Sequence, residues 1–177
     1  MTVTAVRKDP DRLTLTVEAE FDASFENVWQ LWADPRKLER WWGPPAYPAT
    51  FTKHDLAPDG RVEFYMTGPA GAQPQGYWDV LDVERPRRIV LRDGCADGAT
   101  PSEDMPTSTI RVDIAEVAPG RTRMSIEIVF PSIQAMEQAL ANGTDEGLSE
   151  AVSQIDAILA QEIRQPTATS GRRERRR

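Results

Sequence analysis

At 177 residues and 40% hydrophobic content, the chain suits one domain with a real core. It has no apolar run of membrane-spanning length, and its first residues, MTVTAVRKDPDR, lack the apolar centre of a signal peptide, so a cytoplasmic protein is expected. The net charge of −7 includes +4 on the last six residues, RRERRR, which leaves −11 on residues 1–171, a body that repels nucleic acid and anionic membranes.

Residues 1–12 show no sustained pattern and are read as an N-terminal segment before a domain spanning residues 13–165. Leu13, Leu15, Val17, Ala19 and Phe21 then alternate with threonines and glutamates, the pattern of a half-buried strand. Ser24 is a good N-cap for FENVWQLW, where Phe25, Val28, Trp29 and Trp32 form one helical stripe. Asp34-Pro35 restarts a short helix through RKLERWW, which Gly43-Pro44-Pro45 stops. Trp41 and Trp42 are adjacent on that helix end, about 100° apart, and cannot share a face. Either both are core, or one fills the hinge beneath the short helices while the other lines the mouth of a cavity.

Short extended segments follow. Tyr47–Leu56, Arg61–Thr67, Gly76–Val83, Arg88–Arg92, Thr109–Glu116 and Thr122–Phe130 are separated by turns such as Pro58-Asp59-Gly60 and Pro119-Gly120. Asp93–Thr107 reads as a long loop. Consecutive strands with tight turns imply an antiparallel meander. From Ser132 the period becomes 3.6, with Ile133, Met136 and Leu140 continued by Leu148, Val152, Ile155 and Leu159; Gly143 and Gly147 suggest a bend or break. The fold class is α+β: a curved antiparallel sheet of about six to seven strands on a long C-terminal helix, with two short helices after the first strand. Residues 166–177, beyond Pro166, read as a basic, solvated tail.

Chemistry-bearing motifs are few. There is no Walker loop, no G-x-G-x-x-G and no G-x-S-x-G elbow. His54 is the single histidine, in a strand with polar neighbours, and is read as exposed; no ligand spacing supports a metal, and no cofactor is indicated. Cys95 cannot form an internal disulfide and lies in the loop DGCADG without an evident activating base, as an ordinary surface thiol would. Glu18 with Glu20, and Asp113 with Glu116, read as solvated carboxylates. No catalytic residue is assigned; His54 and Asp93 are the two groups worth testing if the protein is an enzyme.

The run VWQLWADPRKLERWWGP resembles the opening of proteins similar to the activator of the 90-kilodalton heat-shock chaperone ATPase, in the START-like (SRPBCC) superfamily. The resemblance continues through DLAPDGRVEFYMTGPAG, DMPTSTIRV, GRTRMSIEIVFPS and AMEQALANGTDEGLSEAVSQIDAIL. It implies the helix-grip fold, with a cavity between the sheet and the terminal helix. That superfamily includes lipid carriers, cyclases, hormone receptors and chaperone partners, so the fold does not settle the function. Where relatives commonly carry methionine and tryptophan in a G-M-x-x-G-W stretch, this chain has Thr144 and Leu148. The second change removes an aromatic ring from an expected cavity wall.

On this reading Trp29, Trp42, Phe64, Met66, Trp78, Met124 and Ile126 line the cavity from the short helices and the sheet. Met136, Leu140, Leu148 and Val152 line it from the terminal helix. The soft methionines suit an apolar ligand with few polar anchors, although methionine is also ordinary core filler. The leading expectation is a protein that binds an apolar small molecule. The alternatives are a module that stimulates a chaperone ATPase, in keeping with a stress-response role, and a polyketide cyclase or dehydratase-like enzyme. Oligomeric state is not legible.

Overall fold

The computed structural model describes residues 3–97, 100–101 and 106–164; the basic tail predicted at 166–177 lies outside the described residues. β1 (Val3–Asp9) and β2 (Thr14–Phe21) form a hairpin that leads to α1 (Phe25–Ala33) and the one-turn α2 (Pro35–Leu38). β3 (Ala49–His54), β4 (Arg61–Met66), β5 (Gln75–Glu84), β6 (Arg88–Asp97), the two-residue β7 (Thr100–Pro101), β8 (Ser108–Ala118) and β9 (Arg121–Val129) follow. The chain closes with α3 (Ile133–Ala141), α4 (Thr144–Ser153) and α5 (Ile155–Arg164).

All described strands belong to one antiparallel sheet in the order β1-β2-β9-β8-β6-β5-β4-β3, with β7 on the flank of β6. Leu15, Val17, Ala19 and Phe21 of β2 are buried, as are Met124, Ile126 and Ile128 of β9, so period-2 alternation sets the core face. Helices cover that face. Ser24 accepts the backbone N–H of Asn27, the expected N-cap, and Trp29 and Trp32 of α1 are buried.

Four departures from the sequence reading have physical causes. Residues 3–9 form β1, which pairs only with β2 at the sheet edge and is too exposed to carry a hydrophobic period. The second short helix stops at Leu38, before the tryptophans. β6 runs on to Asp97 through residues read as loop, because its far half pairs with β5. The long terminal helix is three helices. Gly143, at φ 79°, sits in the left-handed region between α3 and α4. At Gln154 the backbone N–H turns to Ala151 and Val152 instead of continuing a regular helix.

Candidate functional site

A cavity of about 320 Å³ opens between the sheet and the α3–α4 corner. The segment after α2 contributes Trp42, Gly43, Pro44 and Tyr47; the sheet contributes Met66, Asp93, Ile110 and Ile128. Asn142, Gly143, Thr144, Gly147, Leu148 and Ala151 close it from the helical side.

The local sequence explains this wall. Gly43 has φ 93°, and a Cβ there would come within 2.3 Å of the Tyr47 carbonyl oxygen, so only glycine allows the chain to turn back. Gln154 holds the turn in place: its amide donates to the carbonyls of Trp41 and Gly43, at 3.2 and 2.8 Å. Pro44 forms one lip and Gly147 the other, where an added Cβ would lie 3.9 Å from the proline ring. Lys8 of β1 fastens the first turn of α4 through Asp145 at 2.7 Å, and Lys37 joins α2 to Glu162 of α5 at 2.6 Å.

The two adjacent tryptophans divide. Trp41 is fully buried and donates its indole N–H to the Leu31 carbonyl at 3.0 Å, closing the last turn of α1. Trp42 lines the cavity, and its buried indole N–H has no partner among the described residues. Behind it, Trp32, Trp41, Trp42, Trp78, Phe51 and Phe64 form a contiguous aromatic cluster, with Trp42 and Trp78 packed edge-to-face at 4.9 Å.

Among the described residues, Asp93 is the one acidic or basic side chain in the cavity wall. It follows Ile89 and Leu91 at period two and pairs directly with Trp78 of β5, so it shares the core face. The Trp78 indole N–H donates to its Oδ1 at 3.0 Å. Burial pushes the Asp93 carboxyl up to about 7, with the Trp78 hydrogen bond opposing the shift.

Of the expected lining residues, Trp42, Met66 and Leu148 stand at the cavity wall. Phe64 and Trp78 belong to the aromatic cluster behind it. Met124 accepts the Trp32 indole N–H at its sulfur, 3.2 Å away, and Trp29, Ile126, Met136 and Val152 are buried in the core, with Leu140 packed against it. These eight residues do not line the cavity because the large rings fill the centre of the grip and confine the open space to the α3–α4 corner. Sequence reasoning did not place Tyr47, Ile110, Ile128 or Ala151 in the wall, and it placed Asp93 in a loop. Extending the Ile89–Leu91 alternation by one step would have turned Asp93 inward.

His54 is half-buried rather than exposed, because its Nε2 lies 2.9 Å from the Trp32 carbonyl oxygen and ties β3 to α1, away from the cavity. Cys95 is exposed on β6, a strand rather than a loop; partial desolvation and the Asp93 charge push its thiol up, away from the reactive thiolate. Glu18 and Glu20 pair with Arg7 and with Arg121 and Arg123, and Asp113 pairs with Arg88. Among the described residues, no group of three or more His, Cys, Asp or Glu could hold a metal ion, and no helix is long and apolar enough to cross a membrane.

Residues 22–160 match the family described as activator of Hsp90 ATPase homolog 1-like protein. The chain belongs to this family. Among solved structures, a Mycobacterium smegmatis protein is 46% identical, with TM-score 0.81 over 89% of this chain and 96% of that one. An Arthrobacter aurescens protein solved by NMR is 38% identical, with TM-score 0.85 over 99% of this chain and 100% of that one. A Silicibacter pomeroyi protein at 22% identity and TM-score 0.68, covering 84% of this chain and 99% of that one, shares the fold. No curated protein matches the chain. Within the family frame, Thr144 and Leu148, the two positions that depart from the expected helical motif, both lie in the cavity wall.

Proposed function

We propose that this protein binds an apolar small molecule in the cavity between the sheet and α4. The observation that supports it is the open space of about 320 Å³, walled by Trp42, Met66, Ile110, Ile128 and Leu148 with one ionisable carboxyl among them. Space lined mainly by apolar groups with a few polar ones, here Tyr47, Asp93, Asn142 and Thr144, is the usual composition of a small-molecule site. A reducing, cytoplasmic location fits the single free thiol of Cys95.

Native mass spectrometry of freshly purified protein, followed by tryptophan-fluorescence titration with lipids, aromatic polyketides and bile-acid-like compounds, tests this reading. Trp42 sits in the wall and reports occupancy directly. A copurified mass, or a saturable emission shift with a raised melting temperature, is expected. An apo mass together with no response to any class would sink it.

The family description favours a second reading, stimulation of a chaperone ATPase. Unchanged chaperone turnover at saturating protein would remove it. The cyclase-like alternative draws less support, since Asp93 stands at the cavity while His54 bonds to backbone elsewhere.

A further inference from the structure

Resting on the cavity reading, we infer that the site selects a cationic amphiphile: an apolar scaffold carrying one amine, with Asp93 as its counter-ion and the Trp42 and Tyr47 rings flanking it. Among the described residues, the cavity wall contains no lysine, arginine or histidine to stand beside Asp93. Its Oδ1 takes the Trp78 N–H, and among the described residues its Oδ2 has no hydrogen-bond partner. Asp93 is half-buried at the cavity wall, and a carboxylate partly withdrawn from water is stabilised by either a proton or a nearby positive charge. An ammonium supplies that charge together with N–H donors for the open oxygen. Trp42 and Tyr47 stand in the same wall, and aromatic rings of this kind attract an ammonium that lies over their faces.

The surroundings point the same way. Thr144 in the wall is followed by Asp145, which pairs with Lys8, and by Glu146, and the whole chain carries −7, a net field that favours cations over anions. Fatty-acid and bile-acid carboxylates would bring a second negative charge against Asp93. Around Asp93, β5 presents Trp78 and β8 places Ser108 opposite; α4 brings Thr144 and Leu148 to the cavity. The titratable neighbours are the Tyr47 phenol in the wall and the Cys95 thiol two residues along β6, whose pKa is pushed up by desolvation and by the Asp93 charge. With burial pushing the Asp93 carboxyl up to about 7, amine binding should strengthen as pH rises through that region.

Three probes of one shape separate the chemistry: 1-adamantylamine, 1-adamantanol and adamantane-1-carboxylate, each titrated calorimetrically into the full chain. At about pH 8 the amine remains protonated while the Asp93 carboxyl has ionised. The amine should bind at least about tenfold more tightly than the alcohol, and the carboxylate more weakly than both. At about pH 5.5 the amine should lose about tenfold while the alcohol changes little. Asp93→Asn keeps an oxygen for the Trp78 N–H and should bring amine and alcohol within about threefold of each other. If that variant does not fold, the wild-type pH profile decides: amine affinity that does not rise with pH overturns the assignment.

An alcohol that binds as well as the amine, or an amine preference that survives in Asp93→Asn, overturns it too. So does an amine that fails while any neutral or anionic compound binds, and in each such case with binding the cavity reading stands. If no amine, lipid, polyketide or bile-acid-like compound binds, both fall.

Discussion

Three of the indoles at the centre of the fold have acceptors: Trp32 has the Met124 sulfur, Trp41 the Leu31 carbonyl, and Trp78 the Asp93 carboxyl. Trp42 has none among the described residues. Replacing Trp41 by Phe removes a donor from a buried carbonyl, which costs about 1–3 kcal/mol beyond the lost ring area. Trp42→Phe loses area alone and relieves an unpaired polar atom. Chemical denaturation should therefore show Trp41→Phe the more destabilised by about 1 kcal/mol or more. Equal losses would mean that the Trp42 N–H has a partner. Asp93 sets a second expectation, in pH. Its folded pKa, about 7, lies above the ordinary 3.8, so the folded state holds the proton more tightly than the unfolded chain. The stabilisation this gives is complete below the ordinary value and is lost as pH rises through about 7. Asp93→Asn should therefore raise the melting temperature at alkaline pH relative to wild type and lose that advantage in acid. A constant offset across the range would show that the carboxyl is not desolvated.

The elements divide by how plainly they could be read. β2, β4 and β9 were legible because one face is buried and one wet, and α1 because Ser24 caps a regular stripe. β1 was not, since an edge strand with mostly exposed side chains leaves no hydrophobic record. The far half of β6 was masked by Asp, Gly and Cys, residues that strand propensity disfavours but pairing with β5 retains. Of the cavity, Trp42, Met66 and Leu148 were legible as large apolar groups on inward faces. The backbone portions at Gly43 and Asn142–Thr144 depend on turns that no side-chain period encodes. Leu148 makes the quantitative case on α4. It lines the cavity, so Leu148→Trp should occupy free volume, weaken binding of any ligand and leave stability unchanged or raised. Leu148→Ala should cost less than the about 2–5 kcal/mol of a packed core leucine. Denaturation curves for both variants check this. A tryptophan variant destabilised by about 1–3 kcal/mol beside a strongly destabilised alanine variant would mean that the wall is already closed.

For the molecule as a whole, two electrostatic effects oppose each other. The chain carries −7 overall, and like-charge repulsion disfavours the compact state. Against it stand ion pairs that join separate elements: Lys8–Asp145 links β1 to α4, Lys37–Glu162 links α2 to α5, and Arg7–Glu18 links β1 to β2. All have at least one solvent-accessible partner, and pairs of this kind contribute about 0.2–1 kcal/mol each. The core is of another order. Trp32, Trp41, Trp78, Phe21, Leu31 and Ile126 are fully buried in one continuous cluster with both layers, and burying an apolar side chain of that size contributes about 1.5–3 kcal/mol. Burial therefore outweighs pairing, and screening relieves the net repulsion along with the pairs. Raising salt from about 0.01 to about 1 M shortens the Debye length from about 30 to about 3 Å. Over that range the melting temperature should stay level or rise by a few degrees. A fall of more than a few degrees, measured with sodium chloride at constant pH, would mean that the ion pairs between elements, rather than the aromatic core, hold the two layers together.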